Sequence, residues 1–411
     1  MAEIEVPPYF LCPITLDIME DPVTISTGIT YDRGSIEKWL FSQKNNTCPV
    51  TKQSLSDNDL IPNITLRRLI QSWCTLHASN GVERLPTPKA PINKPQLLKL
   101  LNNAKSPQMQ MVCLQQLRSI ASHNQTNRRC MENVGVAEFL AWLIVENTLQ
   151  AHELSEDNSF ECRKTCDEAL SILHNLQLSE SGLKALINGE FLESLTRIMQ
   201  CGSYESRTYS IMLLKSILEV ADPARVINLR PEFFVELVQI LDDQICQKGL
   251  KATLKVLITV SQWGRNRFKA VEAGAVPVLI DLLLDSSSDK RACEMILVVL
   301  DLLCQCAEGR ADLLQHGAGL AIVAKKILRV SPVASERAVR ILHSICKFSA
   351  TAAVLQEMLQ IGVVAKLCLV LQVDCGLKTR ERSREMLKLH SRAWSNSSCI
   401  PKNFVSLYPS N

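Results

Sequence analysis

The chain has 411 residues, and this length suggests two or more domains or an array of repeats rather than one core. Hydrophobic residues make up 46% and aromatic residues 5%, which favours packed helices over a β-sandwich. The 45 basic and 42 acidic residues nearly balance, so we expect no nucleic-acid partner. The longest apolar stretch, residues 295–306, is interrupted by Asp301 and is too short to span a membrane.

The 16 cysteines do not indicate a secreted disulfide framework. Cys293, Cys304 and Cys346 lie inside apolar helical patterns, where a thiol acts as a small hydrophobic side chain. The chain starts MAEIEVPP, which is unlike a signal peptide. We therefore expect a soluble, cytoplasmic protein with reduced thiols. The basic run 378–392 raises a nuclear location as an alternative, although its interleaved acidic residues favour a solvated capping helix.

The first 76 residues are dense in turn signals and predict a small mixed module. Residues 23–25 and 29–31 alternate in polarity around Ser26-Thr27-Gly28, which predicts a β-hairpin. Asp32 is a suitable N-cap for a short helix that follows. A last helix is predicted from four apolar positions at helical spacing: Leu66, Leu69, Ile70 and Trp73.

Two loops flank the short helix, in the layout of a RING finger. The first loop carries Ile14 and Leu16, and the second carries Pro49 and Lys52. A RING finger needs eight Cys or His ligands for two zinc ions. Residues 1–76 contain only three cysteines and no histidine, so we expect no metal.

Without zinc, hydrogen bonds and packing must hold the two loops. The candidate members of this polar network are Asp21, Asp32, Arg33, Asn63 and Arg67.

After this module, a Pro-rich stretch precedes a long helical region. Four prolines between residues 77 and 95 predict a semi-rigid linker. We place the N-terminal module at residues 5–80, the linker at 81–95, the helical array at 96–395 and a C-terminal tail at 396–411.

The helical region repeats an Arg that is followed seven residues later by a Gly and an apolar helix. The pairs are Arg128 with Gly135, Arg267 with Gly274, and Arg310 with Gly317; Gly189 and Gly362 open similar segments. Gly274, Gly317 and Gly362 follow one another at intervals of 43 and 45 residues, which is the armadillo/HEAT period. We expect the acidic stretch Glu153–Glu161 to loop out, and the repeat near Pro231 to be degenerate.

An ordered set of motifs gives the chain a close resemblance to a known family. The motifs are Cys12-Pro13-Ile14, Asp21-Pro22-Val23, Gly28 to Arg33 (GITYDR), Trp39, Cys48-Pro49 and Ile61-Pro62-Asn63. Residues 9–76 resemble a U-box, and the whole chain resembles the plant U-box/armadillo family of E3 ubiquitin ligases. The resemblance implies a small α+β U-box, a zinc-free RING-like fold, followed by an all-α armadillo-type helical solenoid. It also implies RING-type (U-box) ubiquitin transferase activity.

In the family, a ubiquitin-charged conjugating enzyme (E2) docks on the two loops and the helix. Carried over to this chain, the implied E2-binding residues are Ile14, Leu16, Trp39, Pro49 and Lys52. Ordinary core packing is the alternative, more so for Leu16 and Trp39 than for Ile14 and Pro49. Many relatives have Arg at the Lys52 position, where a basic residue bridges the E2 and its ubiquitin; Lys lacks the planar fork.

No covalent intermediate on this chain is implied, because the thioester is on the E2 and the ligase acts by proximity. Cys12 and Cys48 are expected to be structural thiols, since no His in the module can activate them. We expect no cofactor. The implied partners are the charged E2, protein substrates on the armadillo array, and a second copy through a U-box dimer. The family resemblance further implies a role in plant stress or defence signalling.

A binding scaffold of the importin or catenin kind is the main alternative function. Importin-type arrays hold basic peptides with Trp and an Asn four residues later. Trp142, Trp263 and Trp394 lack that Asn, which argues against nuclear import. A zinc-dependent module is the second alternative, and the shortage of ligands argues against it.

Overall fold

A computed structural model describes residues 6–42, 45–55, 57, 59–78, 92–153, 156–222, 226–227, 229–285 and 289–394. Its contacts form two compact units. One comprises Met1–Val136 with Asn175–Gln177, and the other comprises Ala137–His174 with Leu178–Asn411. The predicted linker lies mostly outside the described residues, and the predicted tail does so entirely, so these boundaries stay predictions.

The N-terminal module contains a three-stranded antiparallel sheet in the order β2-β1-β3. The strands are β1 (Pro22–Thr24), β2 (Thr30–Asp32) and β3 (Ile61–Pro62), and Val23 pairs with both Tyr31 and Pro62. The β1–β2 connection is the predicted hairpin. Gly28 turns the chain there with a φ of 79°, a conformation that glycine adopts without steric cost.

Helix α1 (Arg33–Glu37) begins directly after β2 and continues as a wider turn over Lys38–Ser42. Asp32 is its N-cap, as predicted, and its carboxylate accepts a hydrogen bond from the Gly34 amide at 3.1 Å. The last helix, α2 (Ile64–Leu76), is also present. Its predicted apolar face is wrong at Leu69, which is 53% exposed, because Ile70 and Cys74 make the fully buried contacts.

The first helix of the array is α3, which begins at Lys94 because Asn93 caps it and Pro95 fits its first turn. The array helices are α3 (Lys94–Asn103), α4 (Pro107–His123), α5 (Gln125–Asn133), α6 (Val136–Glu153), α7 (Glu156–Leu176), α8 (Glu180–Ala185), α9 (Gly189–Cys201), α10 (Tyr204–Val220), α11 (Pro231–Asp242), α12 (Gln247–Val260), α13 (Gly264–Glu272), α14 (Ala275–Leu284), α15 (Lys290–Leu303), α16 (Ala307–Gln315), α17 (Gly319–Lys326), α18 (Pro332–Phe348), α19 (Ala352–Gln360), α20 (Val363–Gln372), α21 (Leu377–Leu389) and α22 (Ser391–Trp394).

From α13 onward each repeat has a short first helix, a second helix and a long third helix. Third helices pack against third helices of neighbouring repeats, in the series α10, α12, α15, α18 and α21. Second helices form a parallel series of contacts through α9, α11, α14 and α17. An isolated unit cannot bury its apolar face, so stacking supplies the core.

The glycines predicted to open helices act through backbone conformation. Gly274 and Gly362 precede α14 and α20 with φ near 80°, and Gly135 has a φ of 87°. This left-handed conformation turns the chain sharply between the first and second helices. Gly189 and Gly317 do not have this conformation: Gly189 is the first residue of α9, and helix α17 begins two residues after Gly317, at Gly319.

The expected loop over Glu153–Glu161 is wrong for most of that stretch. Helix α6 runs to Glu153 and α7 resumes at Glu156. The extra length between Gly135 and Gly189 therefore lies in longer helices, α6 and α7 having 18 and 21 residues.

The arginines of the repeated spacing join successive repeats. The Arg310 guanidinium donates to the Ser349 hydroxyl at 3.0 Å and to the Cys304 carbonyl at 3.1 Å. Arg267 donates to the Gln305 side chain, and Arg128 reaches the Asn175 carbonyl at 3.5 Å. Each arginine makes one bond to a group about one repeat further along the chain, which explains why its spacing recurs.

No single helix in the described part of the chain is long and apolar enough to cross a membrane. Helices α19 and α20 would be long and apolar enough only if they were taken together, and they are bent by 65° relative to each other.

Candidate functional site

The two predicted loops have the same backbone structure. In the first loop (Cys12–Asp17), the Leu16 amide donates to the Cys12 carbonyl, and the Cys12 amide donates to the Asp17 carbonyl, both at 2.8 Å. In the second loop (Cys48–Gln53), Lys52 and Cys48 make the equivalent bonds at 2.9 and 2.8 Å. The sequences CPITLD and CPVTKQ thus form two copies of one turn.

Strand β2 holds both loops through two consecutive residues. The Asp32 amide donates to the Cys12 sulfur at 3.3 Å. The Tyr31 hydroxyl lies 3.1 Å from the Cys48 sulfur and accepts from the Val50 amide at 3.3 Å. This one strand therefore fixes the position of each loop relative to the other.

The predicted polar network is confirmed, and it centres on two carboxylates. Asp32 accepts from the amides of Glu20 and Asp21, both at 3.0 Å. Asp21 accepts from the Arg33 guanidinium at 2.6 Å and lies 3.8 Å from that of Arg67.

Asn63, the last predicted member, caps helix α2 by accepting from the Leu66 amide, and it donates to the Thr30 hydroxyl at 3.4 Å. These bonds hold the segments that zinc holds in a RING finger.

Cys12 and Cys48 are fully buried, as expected for structural thiols. Burial alone would raise the pKa of the Cys48 thiol, but hydrogen bonds from Thr27, Thr51 and Tyr31 outweigh it and lower the pKa to about 6. A buried sulfur that already accepts three hydrogen bonds is not presented to a substrate. The described residues contain no group of three or more His, Cys, Asp or Glu side chains arranged to hold a metal.

The first-loop candidates differ in exposure. Leu16 is 72% exposed, so at this position a surface role is favoured over core packing. Ile14 is half-buried and packs against the core of the module. A substitution of Ile14 therefore affects both the surface and the fold, which sequence alone does not show.

The second-loop candidates lie beside the helix that carries Trp39. The Trp39 indole donates to the Thr47 carbonyl at 2.8 Å, and the exposed Lys52 places its ammonium 5.5 Å from the Trp39 ring centre. Pro49 and Trp39 are both half-buried.

Sequence reasoning missed Val50, which is 51% exposed and occupies the position equivalent to Ile14. The sequence does contain a sign of this equivalence, because residues 12–15 (CPIT) and 48–51 (CPVT) differ only at Ile14 and Val50.

Helix α1 and the turn that follows it also contact the start of the array within the first compact unit. The buried Glu37 carboxylate accepts from the Gln125 amide at 3.0 Å and from the Thr126 hydroxyl at 2.5 Å. The Arg129 guanidinium carbon lies 3.5 Å from the centre of the Phe41 ring. These contacts brace the helical segment on which Trp39 lies.

Comparisons with known proteins agree with this geometry. Residues 6–79 match the family model of the U-box domain, and residues 96–409 match that of the plant U-box protein ARM repeat region. The chain is 58% identical to the E3 ubiquitin-protein ligase PUB23 of Arabidopsis thaliana, over 99% of this chain and 98% of that protein.

Two further Arabidopsis thaliana relatives are similar over nearly their full length. Identity is 54% to the E3 ubiquitin-protein ligase PUB22, over 99% of each chain. It is 38% to the E3 ubiquitin-protein ligase PUB24, over 97% of this chain and 95% of that protein. These matches confirm the predicted fold class, a small U-box followed by an armadillo-type array. The chain belongs to the plant U-box/armadillo-repeat family and is a U-box E3 ubiquitin ligase.

Proposed function

We propose that the U-box recruits a ubiquitin-charged E2 through the surface formed by its two loops and the adjoining helix. The contact residues are Ile14, Leu16, Trp39, Pro49 and Lys52, with Val50 added. The single observation that carries this proposal is the exposure of Leu16, a large apolar side chain on a loop that the fully buried Cys12 fixes to the fold. Such a residue beside half-buried neighbours is suited to fill a pocket on a partner.

In this proposal the chain acts by proximity and contributes no nucleophile. The E2 carries ubiquitin as a thioester, and the acceptor amine of the substrate attacks that thioester. The Lys52 ammonium lies near the Trp39 ring at the edge of the surface. From there it can pair with acidic groups of the E2 or its ubiquitin and hold the thioester in a reactive orientation.

The test is self-ubiquitination by the full chain with activating enzyme, E2, ubiquitin and ATP. Pro49→Ala should reduce chain formation while leaving the melting temperature nearly unchanged, because the side chain is half-buried on a loop. Loss of one interface anchor of this kind typically costs about 1–3 kcal/mol, roughly a 5- to 150-fold loss of affinity. Full activity of the variant, or loss only through unfolding, would contradict the assignment.

We also propose that the armadillo array holds the protein substrates. Stacked third helices offer an extended surface that suits a segment of protein better than a small molecule. Crosslinking of ubiquitinated targets to the array tests this. A target bound in full by residues 1–136 would contradict it.

The cellular role proposed here is stress or defence signalling in a plant, as a negative regulator, and the support for it is family membership. A cytoplasmic location with a nuclear pool, and a dimer formed through the U-box, belong to the same proposal. Stronger stress responses in plants lacking the protein would agree with this role. Sedimentation of the full chain and imaging of a tagged copy test the dimer and the location.

A further inference from the structure

The third helices of the last four repeats carry an unusual concentration of positive charge. These helices, α12, α15, α18 and α21, contain 13 Lys or Arg against 5 Asp or Glu. The whole chain, by contrast, contains 45 against 42. Since each of these helices packs against the next, the excess belongs to one continuous layer.

Polar contacts between the helices show that the charged stripes adjoin on one face. Arg337 and Arg340 of α18 reach Asp301 of α15 at 2.9 and 3.1 Å. His343 of α18 lies 2.9 Å from Glu385 of α21. Lys251 of α12 pairs with Asp289, the N-cap residue of α15.

The acidic residues in the middle of this face are largely covered. The Asp301 side chain is 4% exposed beneath its two arginines. The Glu294 side chain is 12% exposed and bonds to Arg291, whose own side chain is 66% exposed. The exposed charged positions along the four stripes are mainly cationic: Lys248, Lys255, Arg291, Lys347, Arg384 and Lys388. The exceptions are Glu381 and Glu385 of α21, which are exposed, and Glu385 faces His343. Solvent, and any partner, therefore meets a surface that is more basic than the sequence composition suggests.

We propose that this basic face, made by Lys248, Lys251, Lys255, Arg291, Arg337, Arg340, Lys347, Arg384 and Lys388, binds an extended Asp- and Glu-rich segment of the protein substrate. The proposal rests on the substrate-holding role proposed above for the array. Charge complementarity selects the partner, because carboxylates pair with these cations while basic segments are repelled.

The layer also fits a peptide in length. Packed helices lie about 8–10 Å apart, and an extended chain advances about 3.3 Å per residue. Adjacent third helices are thus about three peptide residues apart, and four helices accommodate a segment of roughly ten residues. Carboxylates spaced by about three residues would meet a basic stripe on each helix.

A peptide is favoured over a nucleic acid by the lack of stacking surface. Single-stranded nucleic acids are held by aromatic side chains on which bases stack. The four helices contain one aromatic residue, Phe348, and Arg310 and Lys347 already lie over its ring, 5.1 and 5.7 Å from the centre. Between the cations the face offers aliphatic side chains such as Val298 and Val333.

The test measures binding of a fluorescein-labelled (Glu-Glu-Ser)4 peptide to the full chain by anisotropy, with (Lys-Lys-Ser)4 and a dT12 oligonucleotide as competitors of other chemistry. The double variant Lys255→Glu/Lys347→Glu reverses two exposed cations of the face. The matched control Arg265→Glu/Lys325→Glu makes the same change in net charge at exposed positions on a first and a second helix.

We expect the acidic peptide to bind, the basic peptide not to bind, and the face variant to lose about tenfold or more in affinity, equivalent to ~1.4 kcal/mol. The control variant should bind as the wild type does. Equal weakening by both variants, unchanged binding by the face variant, or tighter binding of dT12 through the same residues would overturn the proposal. Self-ubiquitination, measured in parallel on the wild type, reports on the U-box and the E2, so its absence would count against the ligase mechanism and leave the binding result readable.

Discussion

Leu16 and Lys52 lie four residues after Cys12 and Cys48, and their backbones adopt the same left-handed conformation, with φ of 63° and 60°. This conformation costs a non-glycine residue roughly 1–2 kcal/mol. In both loops, hydrogen bonds to the buried cysteine keep the backbone in this conformation. The conformation places one long side chain at the tip of each loop. Because glycine adopts this conformation without steric cost, a glycine substitution can remove either side chain and keep the backbone of its loop.

The first prediction uses this geometry at Leu16. Leu16→Gly should lower E2 affinity by roughly 5- to 150-fold, as expected for loss of an interface anchor. Glycine adopts positive φ freely, and this relief offsets its greater loss of backbone entropy, so the melting temperature should hardly change. Titration of the E2 and thermal melting measure the two effects. Full E2 affinity in the variant would remove Leu16 from the site.

The second prediction concerns the charge at Lys52. Lys52→Ala should lower the rate of ubiquitin discharge from a saturating E2 more than it lowers E2 affinity, because the proposed bridge orients the thioester. Lys52→Arg should keep or raise the wild-type rate, since a guanidinium can make two parallel bonds to a carboxylate. Single-turnover discharge assays measure it. Equal rates for all three proteins would exclude a bridging role.

The third prediction concerns Cys48, whose pKa is lowered to about 6. A thiol with a folded pKa below its unfolded value near 9 contributes stability that is present above the unfolded pKa and is lost as the pH falls through about 6. The free energy of unfolding should therefore rise between about pH 6 and about pH 8. Denaturant titrations should show a smaller rise for Cys48→Ser, which does not ionise in this range. Identical pH profiles would show that the Cys48 pKa is not lowered.

The fourth prediction concerns the buried Glu37 carboxylate and its partners Gln125 and Thr126. Glu37→Gln should destabilise the first compact unit by about 1–3 kcal/mol, because a charge-assisted bond is lost inside the fold. Glu20→Gln, at an exposed carboxyl of the same module, is the control.

The same contact predicts that residues 1–136 melt at a higher temperature than residues 1–80, which lack both partners. Ligase activity per folded molecule should also be higher, because the helical segment that carries Trp39 remains braced. If the two fragments melt alike and Glu37→Gln behaves as its control does, the contact has no energetic role.

The fifth prediction is that metal removal has no effect on the U-box. The sulfurs of Cys12 and Cys48 accept hydrogen bonds from Asp32, Tyr31 and Thr51 rather than holding an ion. Dialysis against EDTA should leave the melting temperature and chain formation unchanged once magnesium for ATP is restored. Elemental analysis should find no stoichiometric zinc. A bound zinc ion, or unfolding by the chelator, would favour a divergent RING finger.

The sequence by itself determined the architecture, because its signals are local or periodic. The Asp32 cap and the hairpin around Gly28 reflect contacts within a few residues, and the Arg–Gly spacing recurs once in a repeat. Binary patterns of this kind fix element type and repeat length. The shortage of zinc ligands and the ordered U-box motifs likewise followed from residue identities alone.

Only the tertiary structure decided which side chains are presented and which are engaged. Leu16 and Leu69 are exposed and Ile14 is half-buried, although all three are apolar in the sequence. Glu37 meets Thr126 across 89 residues, and Asp301 is covered by arginines one repeat away. Such pairs join segments distant in the chain, so no local pattern records them. The physical reason is that exposure and charge at a surface depend on neighbours brought together by packing, whereas capping and periodicity depend on neighbours along the chain.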